Sequence, residues 1–220
     1  MDEVYIPQID SKLRHIVHIP KSAREATGII INGRKIRSLI FSTDIAVIRN
    51  CDADAVFAVY PFTPQQAISN SIISHSYIPV FCGVGGGTTN GSRSVVLAKD
   101  AEAQGAMGIV LNAPVTNENL KEVSNEIFIP VIITVANENT DIQARIDNGA
   151  SILNVACAKK TPDVVRRIRK EFPTVPIIAS GGPTEESIRE TIRAGANAVT
   201  YTPPSVADLF TEMMNKYRET

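Results

Sequence analysis

Val175-Pro176-Ile177-Ile178-Ala179-Ser180-Gly181-Gly182-Pro183 begins with a proline one residue in, runs through a short apolar core and ends in Ser-Gly-Gly. Proline is tolerated at the first residue of a strand, and an apolar run without polar alternation is the mark of a strand buried on both faces. Thr184 then supplies a helix cap, Glu185 and Glu186 follow in the first turn, and the amphipathic stretch closes at Ala194-Gly195-Ala196. Asn197-Ala-Val-Thr-Tyr-Thr202 reads as the next strand. The unit is strand, helix, strand.

Earlier parts of the chain repeat it. Ile78-Pro79-Val80-Phe81 and Ile129-Pro130-Val131-Ile132 open as Val175-Pro176-Ile177-Ile178 does, and Gly105-Ala106, Gly149-Ala150 and Gly195-Ala196 each close a helix just before a strand. A recurrence every 45–50 residues or so marks a repeated βαβα unit. In order, strands are expected over Ser38–Thr43, Ala55–Tyr60, Pro79–Gly83, Gly108–Ala113, Pro130–Val135, Ser151–Cys157, Pro176–Ser180 and Ala198–Thr202. Helices are expected over Ile45–Asn50, Thr63–Ser76, Ser92–Gly105, Asn117–Phe128, Thr140–Gly149, Thr161–Phe172 and Ser205–Tyr217, besides the one after Thr184. Eight regular units with no dinucleotide motif at the first turn favour a single α/β domain closed as a (β/α)8 (TIM) barrel over a doubly wound open sheet. The barrel spans 36–220. Residues 1–35 form an N-terminal extension, with one or two short helices over Ser11–Thr27 broken at Pro20 and a hairpin over Ile29–Ile36 turning at Asn32-Gly33. It is expected to plug the bottom of the barrel; a dimer contact, and so a homo-oligomer, stays open.

The chain's 220 residues are 44% hydrophobic with a net charge of −1. One sizeable core fits that length. No basic stripe suggests a nucleic-acid face, and no apolar run is long enough to span a membrane. Cys51, Cys82 and Cys157 match neither zinc nor redox spacing, so the expectation is a cytoplasmic protein with free thiols.

In barrel enzymes the chemistry lies at the carboxyl ends of the strands. Near the fourth or fifth residue the eight strands place Ser42, Ala58, Cys82, Asn112, Thr134, Asn154, Ser180 and Thr200. Most are small and polar, which suggests the hydrogen-bonding floor of a pocket or, alternatively, groups that satisfy one another and buried water. Asn112 and Asn154 weigh most, because an interior amide without partners is costly. Asn137, just past the fifth strand, and Thr202, at the end of the eighth, join the candidates. Gly83-Val-Gly85-Gly86-Gly87-Thr88-Thr89-Asn90-Gly91-Ser92-Arg93 is either an anion-binding loop or a tight turn; it matches no P-loop and no dinucleotide fingerprint.

Pro176-Ile-Ile-Ala-Ser-Gly181-Gly182 followed by Ile192-Arg-Ala-Gly-Ala-Asn-Ala-Val-Thr200 resembles the closing third of the ribulose-phosphate-binding barrels, a superfamily that includes sugar-phosphate epimerases and thiamine-phosphate synthase. That resemblance implies a phosphate held at Gly181 and Gly182. Tyr201-Thr202-Pro203-Pro204 departs from the superfamily's usual Gly-Ser or Gly-Thr, and two prolines donate no N–H. Phe41-Ser-Thr-Asp-Ile-Ala-Val-Ile-Arg-Asn50, Ala58-Val-Tyr-Pro-Phe-Thr63 and Gly83-Val-Gly-Gly-Gly87 are similar to an uncharacterised bacterial barrel family often labelled as hydrolase.

Asp44 is a general base at the pocket or the cap of the helix Ile45–Asn50. Lys159 and Lys160 follow the sixth strand, near where the Schiff-base lysine of similar pyruvate-type aldolases lies. Pairing with an anionic substrate and a solvated helix start are the competing roles. No histidine is placed to activate Cys82 or Cys157. His15, His18 and His75 lie away from the strand ends, so no metal and no cofactor is expected. These residues suggest an isomerase or lyase acting on a small phosphorylated or carboxylated anionic metabolite. Catalysis would rest on Asp44 and Lys159, and binding on Ser42, Cys82, Gly85–Gly87, Asn112, Thr134, Asn137, Asn154, Ser180–Gly182 and Thr202. A ligand-sensing barrel and a metal-independent hydrolase are the alternatives. Ala198-Val-Thr200 and Asp208-Leu-Phe210 are similar to the glycerol-uptake antiterminators, whose RNA partner the near-neutral charge argues against.

Overall fold

Every barrel strand starts within two residues of its expected position. The computed structural model describes residues 16–219 together with Pro7 and Ile9. After a 3-10 helix over Lys21–Glu25 come β1 (Ile29–Ile31) and β2 (Arg34–Ile36), then β3 (Ser38–Phe41), α1 (Ile45–Arg49), β4 (Ala55–Ala58), α2 (Gln66–His75), β5 (Val80–Gly85) and α3 (Ser92–Ala103). The chain continues through β6 (Gly108–Leu111), α4 (Asn117–Glu126), β7 (Val131–Val135), α5 (Ile142–Asp147) and β8 (Ile152–Val155). A short 3-10 turn over Ala158–Lys160, α6 (Thr161–Glu171), β9 (Ile177–Ser180), α7 (Glu185–Arg193), β10 (Ala198–Tyr201) and α8 (Val206–Arg218) complete it.

Strands β3 to β10 form a closed parallel barrel in sequence order, and β10 pairs back onto β3 with Thr200 opposite Leu39. The open-sheet alternative is thereby excluded. One carboxylate pins the first two barrel strands together: Asp54 Oδ2, just before β4, accepts from the N–H groups of Arg37 (2.8 Å) and Ser38 (3.0 Å).

Two cores result from the pleat. Ile40, Val56, Ala58, Cys82, Ile109, Leu111, Ile133, Leu153 and Ala179 point outward and bury against the helices. Leu39, Phe57, Phe81, Val110, Ile132, Ile152, Ile178 and Ala198 point inward and fill the lumen. Ile31 and Ile36 join that inner cluster, so the hairpin β1–β2 packs into the lumen's hydrophobic fill. Its turn has both central residues in the left-handed region, Asn32 at φ 49° and Gly33 at φ 79°, as a two-residue hairpin of this twist requires.

Of the one or two short helices expected over Ser11–Thr27, the described residues hold a 3-10 helix directly after Pro20 and no helix before it. Val17 instead bridges to Cys51. Residues 11–15, and with them His15, lie outside the described residues. His18 pairs with Asp52 at 3.0 Å, and His75 ends α2 with Nδ1 2.7 Å from the Ser71 carbonyl. Among the described residues no helix is long and apolar enough to cross a membrane.

Candidate functional site

The lumen is filled at its lower levels by branched and aromatic side chains, but its last inward positions are polar. Asn112 follows β6, Thr134 and Asn154 end the inward rows of β7 and β8, and Ser180 and Thr200 do so for β9 and β10. In-register pairing sets Thr134 beside Asn154 and Thr200 beside Ser180. A cavity of about 630 Å³ opens above them at the carboxyl mouth. Thr134 Oγ1 donates to Asn112 Oδ1 at 2.8 Å, and Asn154 Nδ2 donates to Thr134 Oγ1 at 3.1 Å. Asn154 is 5% exposed, and its Oδ1 is buried with no hydrogen-bond partner.

Phe41 and Phe57 form one wall, with ring centroids 6.0 Å apart and planes at 29°. Gly181, Gly182, Thr202, Pro203 and Pro204 form the rim opposite. A second cavity of about 480 Å³ adjoins the first and shares Val59 and Asn112 with it. It lies between the 59–64 segment and the glycine-rich loop after β5. Tyr201 is the only residue with an ionisable side chain among the described residues lining the larger cavity, and it packs against the outer cluster, on the opposite side of β10 from Ala198.

Of the residues picked from sequence, Asn112, Thr134, Asn154, Ser180, Gly181, Gly182 and Thr202 come together here. Gly85, Gly86 and Gly87 line the second cavity. Their loop is a packed turn: Gly86 N–H donates to the Thr89 carbonyl (2.8 Å) and Gly87 N–H to that of Pro114 (3.0 Å). A Cβ on Gly86, at φ 108°, would fall 2.2 Å from the Asn112 carbonyl oxygen. These amides serve the fold, and the anion-binding reading of the loop loses them.

Five candidates sit elsewhere. Cys82 points outward into the helix layer; burial pushes its thiol up to about 12, against a weaker pull from the Ser69 hydroxyl. Ser42, past the end of β3, accepts from the Asp44 N–H, and Asn137 accepts from the Asn139 N–H in an exposed turn. Asp44 caps α1, its Oδ1 accepting from the N–H groups of Ala46 (2.7 Å) and Val47 (3.2 Å). Lys159 is exposed in the 3-10 turn and lines neither cavity, while its neighbour Lys160 pairs with Glu138 at 2.7 Å.

The phosphate reading of Gly181 and Gly182 meets two obstacles. The first turn of α7 carries Glu185 and Glu186 and is closed by a capping box between Thr184 and Ser187. Both glycines also have a packing reason, since a Cβ would fall 2.9 Å from Ile188 Cγ1 at Gly181 and 2.6 Å from Ser187 Oγ at Gly182.

Taking Ser42 and Ala58 as the inward residues of the first two strands passes over Phe41, Phe57 and Val59. Alternation carried in register from Asn112, Thr134 and Asn154 across to β4 and β3 would have found them.

No protein-family model matches the chain, and no curated protein does. Among solved structures it is similar to phosphonopyruvate hydrolase, with a TM-score of 0.65 and 15% identity over 91% of this chain and 85% of that one. Phosphoenolpyruvate phosphomutase from Streptomyces platensis subsp. rosaceus superposes with a TM-score of 0.64 and 12% identity, covering 90% of this chain and 83% of its own. Thiamine phosphate pyrophosphorylase from Pyrococcus furiosus gives 0.57 and 16%, covering 75% and 84%. The likeness is one of fold.

Proposed function

We propose that this chain is a metabolite-binding barrel that takes a small polar molecule into the carboxyl mouth of its lumen. The lining carries the reading. A hydrogen-bonded row of Asn112, Thr134 and Asn154 forms the floor and two stacked phenylalanines a wall, and no Asp, Glu, Lys, Arg or His among the described residues lines either cavity. A site so built can orient a ligand but has little with which to move a proton. Isomerase or lyase chemistry would need Asp44 or Lys159 at the mouth, and neither lines it.

One solved neighbour is a phosphonopyruvate hydrolase in complex with oxalate and Mg²⁺. Such ligands call for a carboxylate-rich metal site or for cationic side chains. Among the described residues no three His, Cys, Asp or Glu side chains gather to hold a metal. The donor set here does not fit that chemistry.

The test is a thermal-shift screen of the purified chain against neutral metabolites, carboxylates, sugar phosphates and nucleotides, repeated with Ser180→Trp to fill the mouth. A ligand at a hundredfold its dissociation constant adds about 2.7 kcal/mol and raises the melting temperature by a few degrees. Hits that vanish in Ser180→Trp, with its circular dichroism unchanged, support the site; hits that persist place binding elsewhere. Turnover of a hit that Ser180→Trp abolishes would favour the enzyme.

A further inference from the structure

We infer that the molecule taken at this mouth has two joined parts, a flat ring in the larger cavity and a sugar-like part in the smaller, with a hydrogen-bond acceptor at the join that meets Asn112 Nδ2, as in a nucleoside or an aryl glycoside. The inference rests on the mouth being the ligand site. Asn112 carries it.

Asn112 is fixed on three sides. Its N–H donates to the Gly85 carbonyl at 2.9 Å, and its own carbonyl packs so closely on Gly86 that a side chain there would collide with it. Its Oδ1 accepts the Thr134 hydroxyl proton at 2.8 Å, and Thr134 Oγ1 is held in turn by Asn154 Nδ2 at 3.1 Å. What is left over is Asn112 Nδ2, which has no partner among the described residues and is not one of the buried atoms. Turning the two amides over would make the buried, partnerless atom of Asn154 an NH₂ group, and buried N–H groups without an acceptor are rarer than oxygens short of a donor. A donor already fixed by its surroundings needs no ordering when a ligand arrives.

That donor stands at a boundary. Asn112 lines both cavities, of about 630 and 480 Å³, as does Val59 across from it in sequence order after β4. The two sides differ in chemistry. On the larger side the stacked rings of Phe41 and Phe57 can cover one face of a flat ring. On the smaller side Tyr60 and Thr88 bring hydroxyls, and the Tyr60 oxygen accepts from the Gln65 N–H at 2.9 Å, so its proton remains to be given. Neither side offers a cation among its described lining residues, so a part that carries hydroxyls fits the smaller cavity better than one that carries a phosphate.

The experiment compares joined probes with their parts: uridine with uracil and ribose, phenyl β-glucoside with phenol and glucose, and uridine monophosphate as the anion arm. Binding to the full chain is measured by calorimetry at fixed ionic strength. The expected result is that a joined probe binds at least about tenfold more tightly than either of its parts, and that Asn112→Asp, which keeps the acceptor for Thr134 but removes the free donor, weakens it by about tenfold. Should Asn112→Asp fail to fold, Thr134→Val, which releases the amide to turn, gives the same readout. Ser180→Trp fills the larger cavity and Thr88→Trp the smaller, and each should bring the joined probe down to the affinity of a single part. A joined probe that binds no better than its parts, or that is indifferent to the Asn112 and Thr134 substitutions, overturns the inference. Loss in Ser180→Trp alone confines the ligand to the larger cavity and overturns the inference while the mouth reading stands; binding that persists in both tryptophan variants overturns both. Tighter binding of the monophosphate than of uridine overturns the sugar-like class. No binding by any probe overturns the inference, and the wider screen with Ser180→Trp then decides the mouth reading by itself.

Discussion

Glu185 accepts hydrogen bonds from the backbone N–H groups of Lys21 (3.0 Å) and Ser22 (2.8 Å), so a carboxylate in the first turn of α7 closes the start of a 3-10 helix on the other side of the barrel's sequence. Arg189, one turn further along α7, reaches Glu25 in the same segment at 3.1 Å. The barrel's last third thus grips the segment that precedes its first strand.

That grip is titratable. Ser22, through its hydroxyl and N–H, holds the Glu185 carboxyl below its usual range, with Lys21 N–H and Arg189 adding to the effect. A carboxyl whose folded pKa is depressed contributes stability that is present above its unfolded pKa, about 4.3, and disappears as the pH falls through the folded value. Glu185→Ala should therefore lower the melting temperature at pH 7, and the gap from the parent chain should narrow below about pH 4. Melting curves across pH 3–8 check this, and a gap that persists unchanged at pH 3 would refute it.

Asp44 should behave as a helix cap. Removing its side chain leaves the Ala46 and Val47 N–H groups without their acceptor, at a cost of about 1 kcal/mol. In urea titrations Asp44→Ala should lower the unfolding free energy by about that amount with the slope unchanged, while the affinity of any mouth ligand stays within about twofold of the parent's. A large loss of affinity with unchanged stability would restore Asp44 to the site.

Arg169 makes the densest set of hydrogen bonds at the strand-entry end. Its guanidinium donates to the carbonyls of Gly195 (2.9 Å), Pro173 (2.8 Å) and Val175 (2.8 Å) and to Asn197 Oδ1 (2.7 Å). Asn197 in turn donates to Thr27 at 3.0 Å. A lysine cannot reproduce a planar fork aimed at several acceptors. Arg169→Lys should cost on the order of 1–3 kcal/mol with no change in denaturant slope, measured by urea unfolding.

The cysteines should differ in reactivity. Burial raises the thiol pKa of all three, Cys82 to about 12, and Cys51 and Cys82 are buried while Cys157 is only partly so. Thiolate is the reactive form. Alkylation at pH 8 followed by peptide mass spectrometry should label Cys157 first, with Cys51 and Cys82 labelled at the rate of unfolding. Prompt labelling of Cys82 in the native chain would contradict its placement behind the barrel wall.

The fold was legible because its punctuation has causes: prolines that start strands, glycines that end helices and a period that repeats both. The site was half legible. β5 is buried along its whole length, Val80 to Gly85, so its sequence carries no alternation from which to read which side faces the lumen. Position along the strand alone places Cys82 inward, one residue out of phase with Phe81, which faces the lumen. Asn112, Thr134 and Asn154 could be read because a polar residue after an apolar run announces its own orientation. Asp44 and Lys159 were ambiguous in principle, since a cap and a base use the same carboxylate and a solvated helix start and an anion site use the same amine.

The residues that rim the mouth, glycine, threonine, proline and phenylalanine, carry no charge, so none of them forms an ion pair with what enters and salt has no such contact to screen. Selection here would be by touch, at the floor, after arrival.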